Sequence, residues 1–241
     1  MFEIVRASSL SHIALSVKRT QQICPIYKLC SCILPYRLIS VPVCQNFYTS
    51  ARNYPTGYGP ISVVSAYLRN DTELDLIVVN ADENNIRTLL GNGDGTFYSL
   101  NDYATGDIPY SVITGDFNSD SKLDLTVVNS GDNTISVLLG NEDGTFRSPM
   151  NYTVGWSPKS LISGDFNNDK KLDLTVANSA GNTISVLIGN GDGTFRISMN
   201  YTVGRYAESV ESGDLNNNNK LELAVTNSNS NEVSVFLNAC T

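Results

Sequence analysis

Ser160-Leu-Ile-Ser-Gly-Asp-Phe166, Leu172-Asp-Leu-Thr-Val-Ala177, Thr183-Ile-Ser-Val-Leu-Ile188 and Thr194-Phe-Arg-Ile-Ser-Met199 are four short runs in close succession. The middle two alternate polar with apolar or β-branched residues, which is the side-chain period of a strand. Between them stand clusters that favour tight turns, Asn178-Ser-Ala-Gly-Asn182 and Gly189-Asn-Gly-Asp-Gly193. The second cluster is rich in residues that tolerate positive φ, the strongest local signal for a hairpin. No segment carries a 3.6-residue period with caps, so the stretch predicts four antiparallel strands and no helix.

The same block recurs along the chain. Tyr54, Tyr103, Tyr152 and Tyr201 stand 49 residues apart (103 − 54 = 49), as do Asp94, Asp143 and Asp192 and then Asp116, Asp165 and Asp214. A fixed period of this length marks a repeat architecture, in which each unit needs neighbours to bury its apolar faces. The expected repeats run over about 54–102, 103–151, 152–200 and 201–241. Four antiparallel strands in each match a β-propeller blade better than a β-solenoid, whose parallel coils do not use hairpins. The fold class is therefore all-β, a propeller of four-stranded antiparallel blades.

The two ends are out of phase in a complementary way. The last repeat runs from Gly213 through Glu232-Val-Ser-Val-Phe-Leu237 and has three strands. Tyr48-Thr-Ser-Ala-Arg-Asn-Tyr54 stands in the register of Phe97–Tyr103. It supplies a fourth strand without the other three. The expectation is a ring of four blades, the last one shared between the N- and C-terminal strands, leaving no open sheet edge. Cys44 and Cys240 fall on the phase of Gly191 (44 + 147 = 191; 240 − 49 = 191). A Cys44–Cys240 disulfide is expected, which stabilises by up to about 5 kcal/mol on a chain-entropy account and implies an oxidising compartment. Such a self-closed ring is a monomer. An excerpt of a larger propeller, or a ring completed by a second chain, is the alternative.

Composition narrows the chemistry. The 241 residues carry 24 acidic against 16 basic side chains, for a net charge of −8. That excess speaks against nucleic acid and anionic membranes as partners. The chain has one histidine, His12, outside the repeats, which disfavours Ser-His-Asp and Cys-His catalysis and imidazole zinc sites. No apolar run is long enough to insert in a membrane. Residues 1–43 share nothing with the repeats and read as a degenerate secretory leader or an unstructured extension. The domain proper spans 44–241. Asn70-Asp-Thr72, Asn151-Tyr-Thr153 and Asn200-Tyr-Thr202 would permit glycosylation.

The loops between the first and second strands carry the readable chemistry. One reads Asp116-Phe-Asn-Ser-Asp-Ser-Lys-Leu-Asp124 and the next Asp165-Phe-Asn-Asn-Asp-Lys-Lys-Leu-Asp173. Oxygen side chains occupy positions 1, 3, 5 and 9: Asp116, Asn118, Asp120 and Asp124, then Asp165, Asn167, Asp169 and Asp173. Calcium takes roughly six to eight oxygens, and the backbone carbonyls of Lys122 and Lys171 at position 7 would complete each set. Their ammonium groups are then expected in solvent. The last repeat keeps oxygens at the same places, as Asp214, Asn216, Asn218 and Glu222, and is a weaker candidate. In the first, Tyr67 and Arg69 replace two ligands, and the guanidinium is expected to pair with Asp71 or Asp75 in place of a metal. The Asp94, Asp143 and Asp192 turns are read as plain hairpin turns.

These loops, with the Ile-Ser-Val-Leu…Gly-Asn…Asp-Gly-Thr-Phe hairpins, resemble the FG-GAP/VCBS repeats that build the propeller of integrin α subunits and of several secreted lectin-like proteins. The resemblance covers about residues 46–241 and implies calcium in the loop between the first two strands of a blade. Departures are Asn118 and Asn167 where the family usually has Asp, Ser121 and Lys170 where it usually has Gly, and rings that are commonly seven-bladed.

On the opposite edge, Tyr58, Asp107, Trp156 and Arg205 occupy one matched position in four loops. Aromatic, acidic and guanidinium groups on a common rim suit a sugar or a protein side chain. The expected function is a secreted, calcium-binding recognition or adhesion module for carbohydrate or extracellular protein, and not an enzyme. The alternatives are a propeller lyase or hydrolase, or a structural fragment of a larger adhesive protein.

Overall fold

The structure, a computed structural model, describes residues 50–240, without the side chains of residues 197 and 198. The leader expected over 1–43, Tyr48, and Cys44 with its bridge to Cys240 lie outside the described residues. Cys240 itself is exposed, and its N–H donates to Asn238 Oδ1 at 2.9 Å.

The compact unit that begins at Arg52 holds fifteen strands in four antiparallel sheets. The first sheet contains β1 (Pro60–Ala66), β2 (Asp75–Asn80), β3 (Asn85–Gly91) and β4 (Phe97–Ala104). The second contains β5 (Pro109–Gly115), β6 (Asp124–Asn129), β7 (Thr134–Leu138) and β8 (Met150–Thr153). The third contains β9 (Pro158–Gly164), β10 (Asp173–Asn178), β11 (Thr183–Gly189) and β12 (Phe195–Thr202). The fourth has three strands, β13 (Ala207–Gly213), β14 (Glu222–Asn227) and β15 (Glu232–Phe236). Strands follow one another in simple meanders. Registers repeat with the sequence period, as in Leu76↔Leu89, Leu125↔Leu138 and Leu174↔Leu187. Pro60, Pro109 and Pro158 open their strands at a register shift, where the missing N–H breaks no regular ladder.

Each sheet is apolar on both faces. Every residue of β6 and of β10 is buried. Leu125 and Val127 join a cluster with Ile77, Val79 and Ile86 of the preceding sheet, whereas Val128 and Ile135 join one with Leu161, Leu174 and Val176 of the following sheet. A third cluster joins Ala177 and Ile184 to Val210 and Val225. Aromatic pairs repeat across the same seams: Tyr103 meets Phe146 edge-on at 5.3 Å and Tyr152 meets Phe195 at 5.8 Å. The first strands pack in the series β1, β5, β9, β13.

The expected shared blade is not formed among the described residues. Residues 50–57 carry no strand, and β15 has no fourth strand beside it. Nor does β13 pack against β1 as it does against β9. The exposures show the consequence. Val112, Leu161 and Val210 share one phase and are 3%, 3% and 1% exposed, but Val63 at that phase is 59% exposed. Likewise Ile86, Ile135 and Ile184 are fully buried, while Val233 is 58% exposed. The phase arithmetic that paired the two ends says nothing about the angle between successive sheets, and that angle decides whether four of them close.

Burial of this quality sets the cost of a cavity. Ile135→Ala should lower stability by about 2–5 kcal/mol, read as an earlier urea midpoint with an unchanged slope.

Candidate metal centre and recognition rim

The carboxylate at position 9 of each acidic loop begins the second strand of its sheet and is fully buried. Asp124 Oδ2 accepts the N–H of Phe117 at 2.9 Å and Oδ1 accepts that of Gly140 at 2.8 Å. Asp173 repeats this with Phe166 at 3.0 Å and Gly189 at 2.9 Å, and Asp75 with Leu68 at 3.1 Å and Gly91 at 2.9 Å. The group thus ties the acidic loop to the end of the third strand. Gly91, Gly140 and Gly189 leave no room for a side chain, because a Cβ there would strike the carbonyls of Leu74, Leu123 and Leu172. In the fourth sheet Glu222 accepts from Leu215 N–H at 2.8 Å and from Asn216 Nδ2 at 3.1 Å.

Burial pushes the Asp124 and Asp173 carboxyls above their ordinary value. Their two N–H partners oppose the shift, and the negative charges of Asp120 and Asp116, or of Asp169 and Asp165, add to it. Three carboxylates therefore feel one another in each loop.

The remaining ligand candidates face the interior of their own loop. Asp116 Oδ1 and Asn118 Oδ1 both accept the N–H of Asp120 at 3.1 Å, Asp116 Oδ2 accepts that of Ser121 at 2.8 Å, and Asp120 Oδ1 that of Lys122 at 3.0 Å. Asp165, Asn167 and Asp169 repeat the pattern on the N–H groups of Asp169, Lys170 and Lys171. The winding requires positive φ at Ser119 and Ser121, and at Asn168 and Lys170. Asp214 and Asn218 wind the fourth loop in the same way. Desolvation is the largest single influence on Asp214 and raises its carboxyl, but the N–H groups of Asn219, Asn218, Asn217 and Asn216 together outweigh it and hold the group below its ordinary value.

Among the described residues, no three acidic, histidine or cysteine side chains converge closely enough to share one ion. Side-chain oxygens of positions 1 and 3 meet instead on a single N–H. The donor set nevertheless fits a hard cation: it is all oxygen and it carries mutually repelling charge. Lys122 departs from expectation, since its ammonium lies 3.8 Å from Asp120 and 3.7 Å from Glu142 instead of standing free in solvent.

The first loop is built differently. Arg69 lies 3.0 Å from Asp71 and 2.8 Å from Asp75, and donates to Gly91 O at 2.9 Å. Its guanidinium is held above its ordinary value, first by the hydrogen bond to Asp75. A side-chain cation thus stands among these carboxylates. The Asp94, Asp143 and Asp192 turns bind Thr96, Thr145 and Thr194 through both N–H and hydroxyl. Two of the turns also serve the acidic loop of the preceding blade: Gly193 N–H donates to Phe117 O at 3.0 Å, and Asp143 forms an antiparallel backbone bridge with Arg69.

The antiparallel order puts the other connections on the opposite edge of every sheet. Tyr58, Asp107, Trp156 and Arg205 all stand exposed there. Their carbonyls accept from Asp82, Gly131, Gly181 and Asn229, which pins the backbone and leaves the side chains projecting. The Tyr58 ring is 77% exposed and the Trp156 ring 71%. Asp107 is partly engaged, accepting from Asn84 Nδ2 at 3.1 Å. The structure does not bring the four side chains into one pocket. It adds neighbours to the rim that the sequence reading missed, exposed Ile108 and Tyr206 one residue further on. Both adopt left-handed φ, 49° and 58°, a strained conformation for Ile that costs about 1–3 kcal/mol.

A further missed set is the buried column Asn80, Asn129, Asn178 and Asn227, again 49 apart. Asn129 Nδ2 donates to Ser136 Oγ, which donates to Asn151 Oδ1; Asn178, Ser185 and Asn200 repeat the chain. These side chains fill the space beside Gly57, Gly106, Gly155 and Gly204, explaining the glycine that opens each rim loop. Their shared period was the signal available.

An FG-GAP-like repeat model matches residues 68–127, 116–176 and 165–225. The chain belongs to the FG-GAP-like repeat family. No curated protein matches it. Among solved structures, this FG-GAP-like chain is similar to a lectin from Agrocybe aegerita that recognises non-reducing terminal N-acetylglucosamine, with 18% identity over 75% of this chain and 50% of that one and a TM-score of 0.54. It is also similar to BBS1N, solved in complex with ARL6DN, with 15% identity over 76% and 58% and a TM-score of 0.51. A Pseudomonas aeruginosa periplasmic gluconolactonase matches at 14% identity over 76% and 44%, with a TM-score of 0.50. The chain spans about half the length of these structures. Its fold is that of a β-propeller, and the four sheets are propeller blades.

Position 9 and position 5 should separate in mutagenesis without added metal. Asp124→Asn sets an amide donor against a backbone N–H in a buried site and should cost about 1–3 kcal/mol. Asp120→Asn, at an exposed position, should stay within about 0.5 kcal/mol. Chemical denaturation in a chelator measures both.

Proposed function

We propose that this propeller module is a secreted recognition domain, stabilised by calcium at its acidic edge and binding carbohydrate or an extracellular protein at the opposite rim. The observation that carries the reading is the pair of open aromatic side chains, Tyr58 and Trp156, at one matched position of the first and third rim loops. An exposed indole or phenol on a pinned backbone offers a flat apolar face to a sugar or to an aliphatic side chain at little entropic cost. Similar folds occur in a lectin that recognises N-acetylglucosamine and in a protein–protein complex, so the scaffold suits either class of ligand.

Calcium would be held by Asp116, Asn118 and Asp120 with Asp124, by Asp165, Asn167 and Asp169 with Asp173, and more weakly by Asp214, Asn216, Asn218 and Glu222. The carbonyls of Lys122 and Lys171 would join the first two sets. The ion would replace backbone N–H groups as the partner of these oxygens and neutralise the repulsion between them. Its role is structural. The calcium edge and the rim lie at opposite ends of each blade, so the ion steadies the binding face without touching the ligand. We read the chain as a binding module and not an enzyme, because its best-placed carboxylates are committed to backbone N–H groups.

Two measurements test this reading. Calcium at a hundredfold excess over its Kd should stabilise the fold by about 2.7 kcal/mol for one site. Asp116→Asn together with Asp165→Asn should remove most of that gain; superimposable melting curves in calcium and in EGTA would sink the metal assignment. On glycan and extracellular-protein arrays, Trp156→Ala should weaken binding at least tenfold while leaving the melting temperature unchanged. Retention of full binding by that variant would remove the rim from the account.

A further inference from the structure

The two ends of the arc of blades carry opposite halves of the seam that the chain builds three times within itself. The first blade presents Val63, more than half exposed, at the phase where Val112, Leu161 and Val210 are covered by a preceding blade. The last presents Val233, equally bare, at the phase where Ile86, Ile135 and Ile184 are covered by a following one. Val235, beside it, is 54% exposed.

Polar and aromatic parts of the seam are split in the same way. At each internal seam an Asn side chain accepts an N–H from the next blade: Asn84 from Ile108 at 2.9 Å, Asn133 from Ser157 at 2.8 Å and Asn182 from Tyr206 at 2.9 Å. Asn231 stands at that phase in the last blade, and no cross-blade bond reaches it among the described residues. Gly59 supplies the matching N–H at the head of the first. Tyr54 already packs edge-on against Phe97 at 5.5 Å. Tyr103 and Tyr152, which end the fourth strands of their own blades, make the same contact with the blade that follows. The head of the arc is thus prepared for a blade whose first three strands it lacks, and the last blade has three strands and an open β15 edge.

We propose that the tail face of one chain docks on the head face of a second copy, and that two copies close head to tail into a single ring of eight blades. Val233 then packs beside Val63, and Asn231 accepts from Gly59. The docking surface is continuous with an interface the molecule already forms, which makes a second copy of these same repeats its natural occupant. The chain's own head is not that occupant, since β13 does not pack on β1. A head-to-tail contact must either close or polymerise, and eight blades is the upper end of the usual range, whereas three copies would exceed it.

Sedimentation equilibrium of the full chain in calcium tests the proposal. The wild type should run at twice the chain mass at micromolar concentration. Val63→Asp and Val233→Asp, both at exposed positions, should each raise the dimer dissociation constant at least tenfold without lowering the melting temperature of the monomer. Mixed together, the two variants should recover a one-to-one dimer, because the mixture restores one intact seam. A monomeric wild type at 100 µM overturns the proposal, whether Val233→Asp then destabilises the fold, which signals closure within one chain, or leaves it unmoved. A dimer untouched by either variant, one not rescued by mixing, or an open-ended polymer overturns it as well.

Discussion

A sheet that is apolar on both faces cannot stand alone in water, and that constraint organises this molecule. In an ordinary two-layer domain each sheet hides one face and wets the other. The central strands here, Asp124–Asn129 and Asp173–Asn178, are buried on both. Each fully buried Val, Leu or Ile contributes about 1.5–3 kcal/mol, and each blade collects that contribution twice, once from either neighbour. Stability is therefore a property of the seams more than of the blades. The uncovered valines at the two ends are the direct expression of the same rule.

The acidic loops serve the seams before they serve any ion. The position-9 carboxylate is buried at a real desolvation cost, which its two backbone N–H bonds offset. It fixes the loop so that its far side meets the Asp-Gly turn of the next blade, through Gly193 and Phe117. Arg69 shows how the loop holds when a side-chain cation occupies the space among the carboxylates. A loop that is already wound needs little ordering on binding, so a cation arriving there exchanges N–H partners for itself and loses little conformational entropy. The calcium sites proposed above would therefore form without a preformed three-carboxylate cluster.

Much of this was legible in the residues because one period carries it. Strand number, order and alternation follow from runs such as Leu172–Ala177 and from turns such as Gly189–Gly193, each repeated at constant phase. The pairing of Arg69 with Asp71 and Asp75 was legible because carboxylates two and six residues after the guanidinium share one tight loop with it. Other features were hidden for physical reasons. Aspartate reads alike as an N–H acceptor and as a metal ligand, so the pattern Asp116–Asp124 could not say which partner its oxygens take. The Asn129 column looked like turn chemistry, since Asn at a strand end is common; only burial reveals it as a polar rivet beside Gly106. Ring closure was the expectation least legible in the residues. It depends on the angle between sheets, which side-chain volumes across the seams determine together, and no single residue encodes it.

The two edges of the blades divide the work of the fold. Loops on the acidic edge bond to themselves and to the adjacent blade, so the buried acid at position 9 recurs in all four repeats even where Tyr67 and Arg69 set the first loop apart. The rim loops are held chiefly by their own main chain, which bonds to backbone and side-chain partners, as in the N–H of Gly131 on the carbonyl of Asp107 and that of Ile108 on Asn84 Oδ1. A side chain on such a loop can be Tyr, Asp, Trp or Arg with no change to the scaffold beneath it. Main-chain anchoring thus leaves one exposed position per blade free to vary, while the buried Asn and its glycine hold the geometry constant. Variation at the rim follows from loops held chiefly by their own main chain and not by the exposed side chain.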